Sequence, residues 1–490
     1  SIREAGTYTL VERPSGANII GNKWVFKKKL KADNSVEKYK ARLVGKGYNQ
    51  KEGVDYFETF APVAKLSAIR ALLALATHHD LEIHQMDVKC AFLNGVLEED
   101  IYMEQPQGFI EKGKEHLVCK LNKTLYGLKQ SSRQWYAKMD QTLSSLSFRR
   151  LESDNCTYVY QDKHNVVMYI CLFVDDLLMF SNSLIRLNKL KKKLSSLYKM
   201  KDLGEAEYIL GMQIVRDRKK GTLSICQSGY IKNLVEKYGL EEAKPVYTPL
   251  ESGLKLSKED APTTDKEKST MAKVPYQSAV GAIMYCMLGS RPDIAYAITA
   301  LSQFSNNPGW QHWNAVKRLI RYLNTTKDYK LTYHSKKGHE GPCLYGYSDA
   351  DWGNSMDDRR SYTGYLFVLA GGAVSWQAKK QPTVALSSME AEYMAATQAV
   401  KEALWWRSFL TELGMNVSNE TVLLSDSKGA IDLAKNPEFH PRSKHIDIRH
   451  HFIREQIANK SVKMDHISTE IMAADILTKP LGKVRHHTLL

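Results

Sequence analysis

Paired cysteines, long apolar runs and internal repeats are all missing from this sequence, and each absence closes off a class of protein. The seven cysteines (Cys90, Cys119, Cys156, Cys171, Cys226, Cys286 and Cys343) stand singly. They have neither the spacing of a zinc site nor the density of a disulfide scaffold, and read as reduced, intracellular core thiols. The most apolar stretches, Ala68 to Ala76 and Tyr169 to Phe180, fall far short of the roughly 20 residues that span a bilayer. The start at Ser1-Ile-Arg-Glu carries no signal-peptide pattern, so neither secretion nor membrane insertion is expected. A start without methionine reads as a piece of something longer. No repeat, heptad array or long low-complexity segment interrupts the chain.

What is present points to several globular modules. A chain of 490 residues with 43% hydrophobic content can bury more than one core. A formal charge of +15 and a pI near 9.2 favour a polyanionic partner, nucleic acid first, although a basic and merely soluble protein has the same charge. To about Gln227, strand-like runs (Trp24 to Phe26, Val166 to Phe173, Leu223 to Cys226) alternate with helical ones (Ala68 to Thr77, Gln134 to Ser144). Apolar spacings of three and four then predict helices at Tyr230 to Tyr238, Tyr276 to Leu288, Ile294 to Phe304 and Trp313 to Leu323. The polar stretch Leu250 to Lys273 reads as a surface loop. After the Gly- and Lys-rich run ending at Pro342, strands around Leu344 to Tyr347 and Thr363 to Trp376 precede a long helix from Ser388 to Leu413. A strand at Val422 to Leu424, helices at Ala430 to Ala434 and Ile446 to Ala458, and a strand at Val462 to Ile467 complete a second α/β domain. The expected boundaries are 1–227, 228–335 and 336–490.

Two sets of acids carry the chemistry. In Cys171-Leu-Phe-Val-Asp-Asp-Leu-Leu-Met-Phe180, Asp175 and Asp176 interrupt an apolar run, where uncompensated charge is costly. At a hairpin tip they could be presented together to a divalent cation. An ordinary Asp-Asp turn is the bland reading of the pair alone. Asp87, at the end of another apolar strand, supplies a third carboxylate, and three suit a site of two cations roughly 3.5–4 Å apart. In the last domain Asp349, Glu390, Asp426 and Asp475 stand on separate elements, which suggests one metal site. Each alone could equally be a cap or a helix-dipole partner.

Asp87-Val-Lys-Cys-Ala-Phe resembles the first catalytic motif of reverse transcriptases. Phe173-Val-Asp-Asp resembles their Tyr-x-Asp-Asp box, with phenylalanine for tyrosine. The wording of longer phrases resembles copia-type (Pseudoviridae) retrotransposons over almost the whole chain. Lys23-Trp-Val-Phe-Lys-Lys-Lys and Tyr39-Lys-Ala-Arg-Leu-Val-Gly-Lys-Gly47 look like the fingers hairpin. Leu125-Tyr-Gly-Leu-Lys-Gln-Ser-Ser-Arg-Gln-Trp135 looks like the nucleotide-binding segment, with Ser132 where the family has proline. Tyr208-Ile-Leu-Gly-Met-Gln213 looks like the primer grip, and the phrases at Tyr276 and Arg291 look like the thumb.

The resemblance implies an α/β multidomain chain: a right-hand polymerase with fingers, ferredoxin-like palm and helical thumb, then a ribonuclease H-like domain with a mixed sheet. It implies synthesis of DNA on RNA or DNA templates with degradation of the RNA strand of hybrids, for retrotransposon replication in cytoplasmic virus-like particles. Mg2+, or Mn2+ in its place, is expected at two ions per active site, held by Asp87, Asp175 and Asp176 and by Asp349, Glu390, Asp426 and Asp475. Expected partners are an RNA template, a DNA primer, the RNA/DNA hybrid and deoxynucleoside triphosphates; a homodimer is admitted and a membrane is not.

Lys27, Lys28 and Arg42 are candidates for the triphosphate; a solvated basic hairpin is the alternative. Gly127 lets backbone approach the nucleotide, or is a plain turn glycine. Phe92 is the candidate gate against a 2′-hydroxyl, or a core phenylalanine. Leu210, Gly211 and Met212 are read as the primer grip, and Lys444, His445 and Arg449 as contacts to a phosphate backbone. Asp351 and Glu392 are the nearest rivals of Asp349 and Glu390, each two residues further on, and the earlier members are preferred on the family's motif. His466 stands too far before Asp475 to be claimed as a catalytic histidine, and the His-rich segment lacks the partners of a zinc site. Two rival readings remain, a silent nucleic-acid-binding remnant and a host ribonuclease H with an unrelated first half; the intact acids and the Asp87, Phe92 and Asp175-Asp176 set argue against them.

Overall fold

A computed structural model describes residues 6–30, 36–335, 343–417, 420–435 and 447–490, and the chain forms two compact units. The first comprises residues 1–64 and 82–205, the second residues 65–81 and 206–490.

The first unit is built on a six-stranded antiparallel sheet in the order Met200–Glu205, Glu82–Val88, Asp176–Ser181, Val167–Phe173, Thr157–Gln161, Arg149–Arg150. Side chains alternate across a strand, so Met86, Val88, Leu177, Met179, Ile170 and Leu172 share one face. The helices Ser131–Ser145 and Leu184–Leu197 cover that face with Trp135, Met139, Leu143, Leu187 and Leu194. Asp87 and Asp176, of opposite parity, are left on the other face. A four-stranded sheet (Tyr8–Val11, Val118–Lys123, Val96–Met103, Ile19–Ile20) and a long hairpin, Asn22–Leu30 with Val36–Gly45, complete the unit.

In the second unit, Ser228–Lys237, Tyr276–Gly289, Ala295–Ser302 and Trp310–Thr325 form a helical cluster around Ile231, Ile283, Ile298, Val316 and Ile320. The expected surface loop from Leu250 to Lys273 is instead partly helical. Lys258–Asp260 and Asp265–Met271 each begin with a capping box, from Ser257 with Asp260 and from Thr264 with Glu267, which satisfies free backbone donors at both starts. A mixed five-stranded sheet follows in the order Gly372–Lys380, Tyr362–Leu369, Tyr345–Ala350, Thr421–Ser425, Val462–His466. Its last two pairings are parallel. The helix Ser388–Glu412 lies against it.

The helix Leu66–His78, together with the strands between residues 206 and 226, packs in this second unit although the 1–227 span includes them. Arg70 is the reason on the helix side. Its buried guanidinium donates to the carbonyls of Val374 (2.8 Å) and Leu288 (2.6 Å) and lies 3.9 Å from the centre of the Trp376 ring. A buried arginine is tolerable because carbonyl acceptors replace its water. Among the described residues, no helix is long and apolar enough to cross a membrane.

Candidate active sites

In the first unit the turn between Val167–Phe173 and Asp176–Ser181 is closed by the pair Phe173 and Asp176, leaving Val174 and Asp175 at the tip. Val174 takes a φ of 56°, which a β-branched residue adopts only under strain. Trp135, buried in the helix Ser131–Ser145, holds the turn by donating its indole N–H to the Val174 carbonyl at 2.6 Å. Asp176 stands opposite Asp87 in register, and Val88 donates its N–H to the Asp175 carbonyl at 2.8 Å. The three acids are therefore neighbours. Burial raises the pKa of Asp175 and of Asp176; Asp87 adds to both shifts, while Lys40 and Arg42 oppose that of Asp175, and the amide of Gln85, 3.1 Å from Asp176, opposes the other.

The hairpin register sorts the basic candidates. Val25 pairs with Arg42 and Lys27 with Lys40, whereas Lys28 pairs with Tyr39. Alternation then puts Lys27, Lys40 and Arg42 on one face and Lys28 on the other with Phe26 and Tyr39. Lys28 thus parts from Lys27 and Arg42, and Lys40, not singled out in the sequence, shares their face. Lys40 is in the field of both Asp175 and Asp87. Gly127 has a φ of 92°, and a Cβ there would stand 2.3 Å from the Gly45 carbonyl oxygen. Its missing side chain is needed for contact between two segments of the chain itself, which accounts for a glycine here with or without a nucleotide. Phe92 is half-buried, packed on the helix-facing core and edge-on to Tyr126.

In the second unit, oxygens of Asp349, Glu392 and Asp426 lie within 4.8 Å of one another, and no other described acids, cysteines or histidines gather three ligand atoms so closely. The glutamate in this group is Glu392 and not Glu390. Glu390 is spent on its own helix start: its carboxylate accepts the Leu386 N–H at 2.7 Å, and its N–H reaches the capping hydroxyl of Ser387. Two residues further along a helix is more than half a turn, so the two glutamates point in different directions. Glu392 keeps one buried oxygen without a hydrogen-bond partner. Burial and the neighbouring Asp349 and Asp426 raise its pKa, and Asp349 is raised by burial too. Three acid oxygens so close together, a buried Glu392 oxygen without a partner, and mutual repulsion that Lys479 beside Asp349 only partly offsets are what a hard divalent cation fits.

Asp475 is fully buried and bound to Arg485 and to Lys479, whose ammonium is 2.6 Å away; the same ammonium is 3.8 Å from Asp349. It joins the cluster through Lys479 and not as a fourth converging oxygen. Asp351 lies past the strand end, where it accepts the Tyr362 N–H, and burial pushes it up to about 7. His466 ends its strand opposite Ser425, the residue before Asp426. That register sets its backbone beside the strand that leads to Asp426, with its side chain exposed. Leu210 and Gly211 form a turn with φ of 50° and 73°, the Leu210 carbonyl accepting from the Tyr285 hydroxyl; Leu210 is half-buried, Gly211 exposed and Met212 buried. Lys444 and His445 lie outside the described residues. Arg449 falls in the helix Asp447–Ala458, with its side chain outside what is described.

Residues 5–252 match the family described as "Reverse transcriptase (RNA-dependent DNA polymerase)". The chain belongs to that reverse transcriptase family. Over 479 residues, 98% of its length, it is 50% identical to the "Retrovirus-related Pol polyprotein from transposon TNT 1-94" of Nicotiana tabacum. Over 471 residues, 96% of its length, it is 41% identical to the corresponding polyprotein from transposon RE1 of Arabidopsis thaliana. These are copia-type relatives. The chain spans 36% and 31% of their lengths, about a third of each. Among solved structures, LC11-RNase H1 isolated from compost is 16% identical over 28% of this chain and 92% of that one, with a TM-score of 0.23, too slight an overlap to describe the fold.

Proposed function

We propose that the chain copies RNA and DNA templates into DNA and degrades the RNA strand of the resulting hybrid, as one segment of a retrotransposon polyprotein. The observation that carries the first activity is the pairing of Asp87 with Asp176 beside the strained turn of Asp175. Fingers and palm fall within 1–227, the thumb within 228–335 and the ribonuclease H domain within 336–490.

Asp87, Asp175 and Asp176 would hold the divalent ions of the polymerase, and Asp349, Glu392 and Asp426, with Asp475 nearby, those of the nuclease. Bound Mg2+ or Mn2+, two per site, would stabilise the attacking and leaving oxygens of phosphoryl transfer. Lys27, Lys40 and Arg42 neutralise the triphosphate from one face of the hairpin. Phe92 closes the space of a ribose 2′-hydroxyl. Leu210 and Gly211 offer backbone to the primer end. Lys479 and Arg485 fix the Asp475 carboxylate, and His466, at the end of the strand beside the one leading to Asp426, is the candidate to move a proton at the nuclease. The substrates are deoxynucleoside triphosphates, a DNA primer and an RNA template or hybrid, met in cytoplasmic virus-like particles, by one copy of the chain or two.

Incubation with a primed RNA template, labelled on the RNA, scores both reactions together. Extension of the primer with shortening of the label is expected; binding without either reaction would return the chain to a silent nucleic-acid-binding protein.

A further inference from the structure

Tyr126 stands at a junction in the first unit. Its carbonyl accepts the Gly45 N–H at 2.8 Å, and its backbone bridges to Val44, which ties it to the strand carrying Lys40 and Arg42. Its ring meets Phe92 edge-on, with centres 5.0 Å apart and planes at 68°. The Arg42 guanidinium carbon is 5.5 Å from the centre of the same ring. Two residues earlier, the Thr124 hydroxyl donates to the Phe92 carbonyl, so the backbone of Phe92 is held by the segment that carries the ring. The Arg42 Nε is buried and has no hydrogen-bond partner.

Edge-to-face aromatic pairs and cations over rings both prefer defined geometries, so a ring whose backbone is tied to the hairpin strand fixes what leans on it. We propose that Tyr126 couples sugar selection to triphosphate binding, its ring setting the Phe92 ring on one side and the direction of Arg42 on the other. It is a positioning residue, acting through two groups that meet the nucleotide, and the proposal rests on the polymerase reading of this unit. A side chain that served only to fill space would have no reason to affect the two ends of the substrate together.

The test is primer extension with single deoxy- and ribonucleotides by the wild type, Tyr126→Phe, Tyr126→Leu, Tyr126→Met, Phe92→Val and the double variant Tyr126→Leu/Phe92→Val, alongside melting temperatures. Tyr126→Phe keeps the ring and should retain the deoxy-to-ribo preference within about threefold. Tyr126→Leu, and Tyr126→Met should the first prove unstable, should lower that preference at least tenfold and raise the KM for the deoxynucleotide severalfold with a smaller change in kcat. The double variant should discriminate no worse than Phe92→Val alone, because both act through one ring. Equal losses on both sugars, an unchanged KM, or additive effects in the double variant would overturn the coupling. A wild type that fails to extend at all would fail the polymerase reading instead, and a Phe92→Val protein that still excludes ribonucleotides would fail the gate on which the coupling acts.

Discussion

Replacing Glu392 by glutamine changes one charge and almost no volume, and it separates two residues that the sequence alone leaves as rivals. The acid oxygens of Asp349, Glu392 and Asp426 lie within 4.8 Å of one another. At an effective dielectric constant of about 20, two unit charges at roughly that distance repel by about 3.5 kcal/mol. Part of this is avoided near neutral pH, since burial and these neighbours raise the pKa of Glu392 and Asp349 and favour their protonated forms. Glu392→Gln should therefore stabilise the metal-free protein by roughly 1–3 kcal/mol, a rise in Tm of several degrees at about 2–4 °C per kcal/mol. An acid whose folded-state pKa is raised keeps its full stability below its unfolded value and loses it as pH rises through the raised one. The gain from Glu392→Gln should accordingly be small at acid pH and grow toward neutral pH.

Cleavage of an RNA/DNA hybrid should fall in the same variant by a hundredfold or more, since a lost cation ligand forfeits on the order of several kcal/mol of transition-state stabilisation. Stabilisation by added Mg2+ should shrink as well. Glu390→Gln should behave oppositely, losing about 0.5–1.5 kcal/mol of helix-start stability and keeping cleavage and the response to Mg2+. Scanning calorimetry with and without Mg2+, beside a labelled-hybrid assay, measures all of this. Loss of cleavage in Glu390→Gln with normal cleavage in Glu392→Gln would refute the reasoning.

Asp175→Asn should abolish DNA synthesis and leave hybrid cleavage, and Asp426→Asn the reverse, because the acids belong to different compact units; loss of both activities from either change would contradict two sites. His466→Ala should slow cleavage by about 10²-fold or more if it moves a proton, with the pH–rate profile losing one limb; an unaltered profile would remove it from the site. His486 is buried against Tyr322, 2.9 Å from its hydroxyl, and burial holds it down to about 4 from an ordinary value of 6.5. Its contribution is present above pH 6.5 and lost as pH falls toward 4, about 3 kcal/mol over that window, so His486→Phe should flatten the Tm profile between those values. Affinity for primer-template should fall by roughly 0.7–0.9 log units per log unit of salt for each phosphate neutralised, and a flat response would mean that the surplus charge faces elsewhere.

What could be read without coordinates follows from how far each property depends on neighbours in sequence. The apolar periods that marked Ala68 to Thr77, Val166 to Phe173 and Ser388 to Leu413 became a helix, a strand and a helix at nearly those bounds, because burial on one face is written into local spacing. The capping boxes at Ser257 and Thr264 were equally local; the polar composition around them hid a short helix that the pattern of Thr264 and Glu267 announces. The separation of Lys28 from Lys27 needed only the two-residue period of a strand, and what was lacking was the register that pairs Lys27 with Lys40.

Glu392 is a different case. Glu390 and Glu392 sit in the same helix turn with the same chemistry, and the choice between them depends on how that helix is rotated against the strand of Asp349. Packing sets the rotation: Ala391, Met394 and Ala395 are buried in one cluster with Ala350. His466 comes beside the strand that leads to Asp426 through a parallel pairing that crosses forty residues of chain. A metal site assembled from separate elements is legible in sequence as an inventory of acids, and the selection among adjacent members is made by the core beneath them.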